Sequence, residues 1–320
     1  MMKLIDAVPQ ESKGMSIAII MTVQLKQILY IAVLLLCLLS HSDPALAADD
    51  ATALRTHYEA LRPQLSNSQF QRPLHLDSAE SHSSAKGDLY AVLDHSFASV
   101  NGTLNDPEQG PANWCDVLML HLNTKYCHAS SGSSGKMLRM NIGKKVEQPL
   151  SDTYLLEFKY QSTASSPEYF RIDLNADKGP LGTSDYKIML EAVALDCNHT
   201  FIHLTYSCKY SLAGRIALKL YLATLESDKV GFTIIKHKAN GEPRYIGGLR
   251  GIIERNTMRY YLAIDAYLSA LCLPKDKRLE KRLSNWFSAT EQYARQLHVL
   301  EREEYMQMKF HEFQRRQTGQ

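Results

Sequence analysis

From residue 124 onward, apolar and polar side chains alternate in short runs, at 124–129, 137–145, 153–162, 168–175, 185–195 and 200–210. A period of two marks strands with one buried face and one wet face. Leu156, Phe158 and Tyr160 alternate with Glu157 and Lys159, and Phe170, Ile172 and Leu174 with Arg171 and Asp173. The connections hold Ser130 to Gly135, Ser165-Ser166-Pro167, Asp177-Lys178-Gly179-Pro180 and Asp196-Cys197-Asn198-His199. Such turn-forming residues predict an antiparallel meander. Leu89, Ala91 and Leu93 show the same alternation and predict an earlier strand; Asn101-Gly102-Thr103 and Asp106-Pro107 then interrupt two short helices. Trp114, Val117, Leu118 and Leu120 form the apolar face of the second.

After the meander the period lengthens. Ala213, Ile216, Ala217, Leu220, Tyr221 and Leu225 recur at three and four residues, predicting a helix over 211–225. Residues 230–237 and 243–248 predict a hairpin about Asn240-Gly241. Two further helices are expected, at 250–272 before Leu273-Pro274 and at 276–316, the latter striped by Leu279, Leu283, Trp286, Tyr293, Leu297 and Leu300. Before the sheet, Leu54, Tyr58 and Leu61 predict a helix over 50–62 that Pro63 ends, and the polar stretch Ser66 to Lys86 reads as a loop.

The apolar run 28–39 is of another kind. Twelve helical residues rise about 18 Å, short of a roughly 30 Å hydrocarbon core. Ala45-Leu46-Ala47 places small side chains where a signal peptidase cutting after Ala47 needs them, so 1–47 is expected to be a secretory signal peptide. An uncleaved anchor is the alternative, which the helix-breaking Pro44 disfavours. Initiation at Met15 or Met21, in place of Met1, would give a signal of ordinary length. Removing 47 of the 320 residues leaves 273, and the net charge of +2 is unchanged because three cationic and three anionic side chains leave together. The expected organisation is a signal peptide at 1–47, a helix and polar linker at 48–86, a main domain at 87–272 and a helical extension at 273–320, in a periplasmic or secreted protein.

With 45% hydrophobic and 22% charged residues the composition is that of a folded protein, and near-neutral charge excludes the basic footprint of a nucleic-acid binder. Five cysteines remain after residue 47. Cys115 and Cys127 lie twelve apart, one on the helix carrying Trp114 and one on the next strand, so a disulfide is expected there, contributing about 3 kcal/mol in an oxidising compartment. A zinc site adding His121 and His128 is the alternative. Cys197 at a turn and Cys208 up the following strand are more than about 20 Å apart along an extended chain and are expected not to pair.

The order strand, two short helices, six antiparallel strands, then helix resembles the helix-grip fold of the START and polyketide-cyclase (SRPBCC) superfamily. Leu104-Asn105-Asp106-Pro107-Glu108 and the later Trp114 are similar to a passage in the first helices of that family. The resemblance covers 87 to about 225, or to 272 if the hairpin belongs to the same sheet. It implies an α+β fold in which a curved antiparallel sheet wraps a long helix, with an apolar tunnel between them and here with extra C-terminal helices. It leaves open which helix fills the grip.

Chemistry is sparse. There is no Gly-x-Ser-x-Gly, His-Glu-x-x-His, P-loop or Cys-x-x-Cys, so neither a catalytic set nor a metal or cofactor is expected. Candidate ligand-binding residues are His203, Glu191 and Arg139, polar among apolar strand neighbours, together with Arg255, Arg259 and Tyr261 behind the glycines Gly247, Gly248 and Gly251. Parity puts Phe201 and His203 on one face and Ile202, Leu204 and Tyr206 on the other, so His203 either faces solvent or orients a ligand head. Arg255 and Arg259 form either a salt-bridged helix surface or a site for an anionic headgroup. These expectations point to an exported, non-catalytic binder of a lipid or other apolar molecule. The alternatives are a cyclase-like enzyme and an interaction protein working through its C-terminal helices.

Overall fold

The computed structural model describes residues 44–133, 135–216 and 229–318; the apolar run 28–39 and the stretch 217–228 lie outside them. The elements are α1 (Pro44–Ser66), β1 (Leu74–Glu80), β2 (Ser84–Leu93), α2 (Phe97–Leu104), α3 (Gly110–Met119), β3 (Thr124–Gly132), β4 (Gly135–Ile142), β5 (Tyr154–Ser165), β6 (Tyr169–Lys178), β7 (Thr183–Ala194) and β8 (Thr200–Tyr210). There follow β9 (Ile234–His237), β10 (Pro243–Tyr245), α4 (Gly248–Leu268), α5 (Lys275–Glu291), α6 (Ala294–Leu297) and α7 (Arg302–Thr318). Every strand of the alternating meander is present, and residues 212–216 begin the helix expected after it.

Eight strands form one antiparallel sheet in the order β1-β2-β8-β7-β6-β5-β4-β3, while β9 and β10 pair separately. The inward face buries Leu138, Leu156, Phe158, Phe170, Ile172, Leu174, Leu190, Ile202 and Leu204 against Trp114, Val117 and Leu118 of α3 and the apolar side of α4. It is α4 that fills the grip. On β2 the inward positions include Ala85, Gly87 and Ala91, small enough for the helix to lie directly on the strand. A Cβ on Gly87 would stand 2.5 Å from Thr257 Oγ1 and 2.8 Å from Ile253 Cγ2 of α4.

Of the polar stretch 66–86, expected as a loop, residues 67–73 are one, but the rest is β1, its turn and the start of β2. Leu74 and Leu76 are buried while His75 and Asp77 point away; one inward residue in two suffices for an edge strand whose other face and free edge are wet. Pro63 does not end α1. The helix runs past it and closes a turn later, where the Asn67 backbone and side chain both donate to the Pro63 carbonyl at 3.2 and 3.3 Å. Leu54, Leu61 and Leu65 of α1 cover Tyr169, Val193 and Phe201 on the outer face of the sheet.

The single helix expected over 276–316 is broken twice, giving α5, α6 and α7. No proline or glycine marks the breaks. The carbonyls they release are taken up from elsewhere in the fold, Leu297 O by Arg259 at 3.2 Å and His298 O by Lys229 at 3.1 Å. Nor are these helices an appendage: Leu283, Trp286, Tyr305, Met308 and Phe313 belong to the main core. Glu312 lies buried between Lys125 of β3 at 2.9 Å and Lys309 at 2.7 Å, and Lys309 also donates to the carbonyls of His121 and Thr124. Cys115 and Cys127 form the expected disulfide, with Cα atoms 5.3 Å apart, and Cys197, Cys208 and Cys272 are free thiols.

Candidate functional site

The residues singled out from sequence do not converge. Arg139 stands on the outer face of β4, exposed and paired with Glu157 at 3.0 Å. His203 and Glu191 are also on the outer face, away from the grip, because Leu204 and Leu190 take the inward positions. His203 is neither solvent-facing nor a ligand clamp. Its ring lies between Asp88, 2.9 Å from Nε2, and Glu191, 2.7 Å from Nδ1, and stacks on Tyr90 at 4.2 Å. Tyr169 donates to the other Glu191 oxygen at 2.8 Å, and Thr205 to Asp88 at 2.7 Å. Burial opposes charge on His203, but hydrogen bonds to the two carboxylates outweigh it and raise its pKa above the usual imidazole value. Burial likewise works against the Asp88 carboxylate, yet its bonds from His203, Thr205 and Lys86 bring it down to about 2. This is a charge-compensated clasp tying β2, β7 and β8 together on the outer side.

Arg255 and Arg259 are buried rather than displayed on a helix surface, and both serve backbone carbonyls, Arg255 reaching Val230 O and Arg259 reaching Leu297 O. Glu254 beside them is buried too, accepting from the Phe232 and Thr233 amides and from the Thr233 and Ser78 hydroxyls. Arg255 and Glu254 thus tie α4 to residues 230–233 before β9, and Arg259 ties it to the end of α6. Tyr261 is buried near Arg72, which pairs with Asp265 at 2.8 Å.

The interior of the grip holds a group that sequence reading missed. Tyr186 of β7, Tyr206 of β8, Tyr260 of α4 and His121 after α3 form a chain of rings with centroids 6.4, 5.3 and 5.1 Å apart. Tyr206 and Tyr260 keep 7% and 8% of their surface exposed, and Cys208 beside them 9%, whereas Leu204, Ile202 and Leu190 deeper in the grip keep none. Burial drives His121 well below its ordinary value, so its ring is neutral; its Nδ1 accepts from the Asn123 amide at 3.1 Å, leaving Nε2 to carry the hydrogen. Burial also pushes Tyr186 up to about 12 and the Cys208 thiol up to about 11. Parity alone placed Tyr206 inward; nothing in the sequence brought His121 and Tyr260 to it.

Deeper in, the grip is packed with Trp114, Phe158 and Phe170, all nearly or wholly buried. Among the described residues, open cavities lie elsewhere, one of about 590 Å³ between α1 and the ends of β2, β7 and β8, another of about 210 Å³ beside the α5–α6 junction. The strand order, the two helices inserted between β2 and β3, and a long helix seated in the concave face decide the architecture. The fold is a START-like helix-grip. No protein-family model matches the chain, and no curated protein does. Solved structures do match. A norcoclaurine synthase point mutant from Thalictrum flavum is 12% identical over 46% of this chain and 86% of that one, with a TM-score of 0.31. A START superfamily protein from Mycobacterium smegmatis is 15% identical over 48% and 90%, at 0.29. The Zhui aromatase/cyclase from Streptomyces sp. R1128 is 10% identical over 69% and 96%, at 0.31. Likenesses at this level carry no argument about activity; the START-like assignment rests on the chain's own topology.

Proposed function

We propose that the protein is an exported, non-catalytic START-like binder that takes an apolar molecule at the Tyr186, Tyr206, Tyr260 and Cys208 end of the grip. One observation carries this reading: the end of an otherwise apolar grip is lined by groups that can hydrogen-bond yet stay uncharged. A buried phenol or thiol without charge suits the polar tip of a lipid or of another apolar molecule, while apolar walls take the rest. The cyclase-like alternative requires a charged acid or base on the concave side, and burial holds the His121 imidazole there neutral. His203 and Glu191 lie on the outer face, and Asp265 is occupied by Arg72 and His95. Export is supported by the apolar run before Ala47 and by the disulfide, a bond that persists in oxidising compartments.

Native mass spectrometry of the secreted protein, purified without detergent, tests the reading. The expected result is an adduct of lipid-like mass that Tyr260→Ala and Tyr206→Ala reduce. A clean unliganded mass, with no thermal shift on adding fatty acid or sterol, would refute it.

A further inference from the structure

The β9–β10 hairpin forms a two-stranded sheet of its own, apart from the eight-stranded one. Its root is clamped. Gly231 N donates to Ile246 O at 2.7 Å and Ile246 N to Thr233 O at 2.8 Å, while Glu254 of α4 accepts from the Phe232 and Thr233 amides. Beyond that root all four residues of β9 are exposed, Ile234 by 37% and Ile235 by 49%. A two-stranded ribbon is marginal in water, and isoleucines left in solvent do nothing to stabilise it.

The charges of the hairpin also run against its stability. Lys236 lies directly opposite Arg244; both are exposed, and neither joins an ion pair among the described residues. Like charges in cross-strand register are destabilising, where a carboxylate at either place would stabilise. The nearest carboxylate, Glu242, is taken by Lys238 at 2.9 Å, and Lys238 together with Arg295 of α6 holds it below its ordinary range. Residues 229–250 contain five lysines and arginines and one carboxylate, in a chain whose net charge is only +2.

Two features select a partner. Cations alone suit any polyanion, but isoleucines exposed beside them suit a surface that is anionic outside and apolar just beneath. There, Ile234 and Ile235 enter the headgroup–acyl boundary while Lys236 and Arg244 meet phosphates. We infer that the β9–β10 hairpin docks the protein on an anionic bilayer surface, at a place separate from the site proposed in the grip.

Co-sedimentation of the secreted protein with vesicles of equal parts phosphatidylglycerol and phosphatidylcholine, against phosphatidylcholine alone, tests the inference. Binding to the anionic vesicles that falls with added salt is expected. Lys236→Gln combined with Arg244→Gln should weaken it about thirtyfold, a factor of roughly five for each cation. Ile235→Ser should weaken it as well while leaving its salt dependence in place. Equal binding to both kinds of vesicle would overturn the inference, as would anionic binding that both variants retain. So would a loss confined to the charge variant with Ile235→Ser binding as the parent does, which is the pattern of an acidic protein face.

Discussion

Replacing Glu312 by Gln removes one negative charge from a place where two lysines depend on it. The carboxylate is 1% exposed, and its oxygens lie 2.9 Å from Lys125 Nζ and 2.7 Å from Lys309 Nζ, both ammonium groups being fully buried. An amide preserves volume and can accept one bond, but leaves two cations facing each other without compensation. Breaking a buried ion pair costs about 3–5 kcal/mol, against a total stability of about 5–15 kcal/mol. With a urea dependence near 2–3 kcal/mol/M, the unfolding midpoint should fall by about 1–2 M. The two tryptophans report it separately. Trp286 stacks on Tyr305 of α7 at 5.0 Å and senses release of that helix, while Trp114 sits in the core of the grip. The deficit should also depend on pH. Burial brings Lys309 down to about 8 from 10.5 even with Glu312 beside it. Between those values the unfolded chain binds more protons than the folded one, so stability rises with pH across the window. Without Glu312 the window opens lower, and the variant should recover part of its loss between about pH 7 and pH 9. A variant within about 1 kcal/mol of the parent at neutral pH, or a deficit that stays constant to about pH 9, would refute the reasoning.

Two further outcomes are expected. Gly87→Val drives a branched side chain into Thr257 and Ile253, so it should cost about 1–3 kcal/mol or more and lower the melting temperature by several degrees in a circular-dichroism melt; an unchanged melt would mean that α4 does not rest on β2. His203, with its pKa raised by Asp88 and Glu191, adds stability that is complete below its unfolded value near 6.5 and is lost as pH rises through its higher folded value. Asp88→Asn should pull the NMR titration midpoint of that ring downward and flatten this slope, and a midpoint that does not move would contradict the clasp.

Much of the sheet could be read directly because apolar and polar residues alternate along the strands, as at Phe158 of β5 and Leu174 of β6. β1 escaped because an edge strand needs only Leu74 and Leu76 inward, too few to stand out from Ser, Gln and His. The candidate site was read poorly for a related reason. His203, Arg255 and Arg259 are conspicuous as charges among apolar neighbours, but such a charge is as well explained by a distant partner, and Asp88, Val230 and Leu297 lie 25 or more residues away.

What the chain determined by itself is therefore what is local: strand and helix periods, turns, and the Cys115–Cys127 pairing across adjacent elements, each set by backbone geometry and by which face must leave water. Tertiary structure alone decided which helix fills the grip, where the C-terminal helix breaks, and on which side of the sheet each charged residue works. Those outcomes depend on groups far apart in sequence, such as Gly87 beneath Thr257 or Arg259 at Leu297 O. A buried charge or a released carbonyl is satisfied only by whatever the fold brings to it.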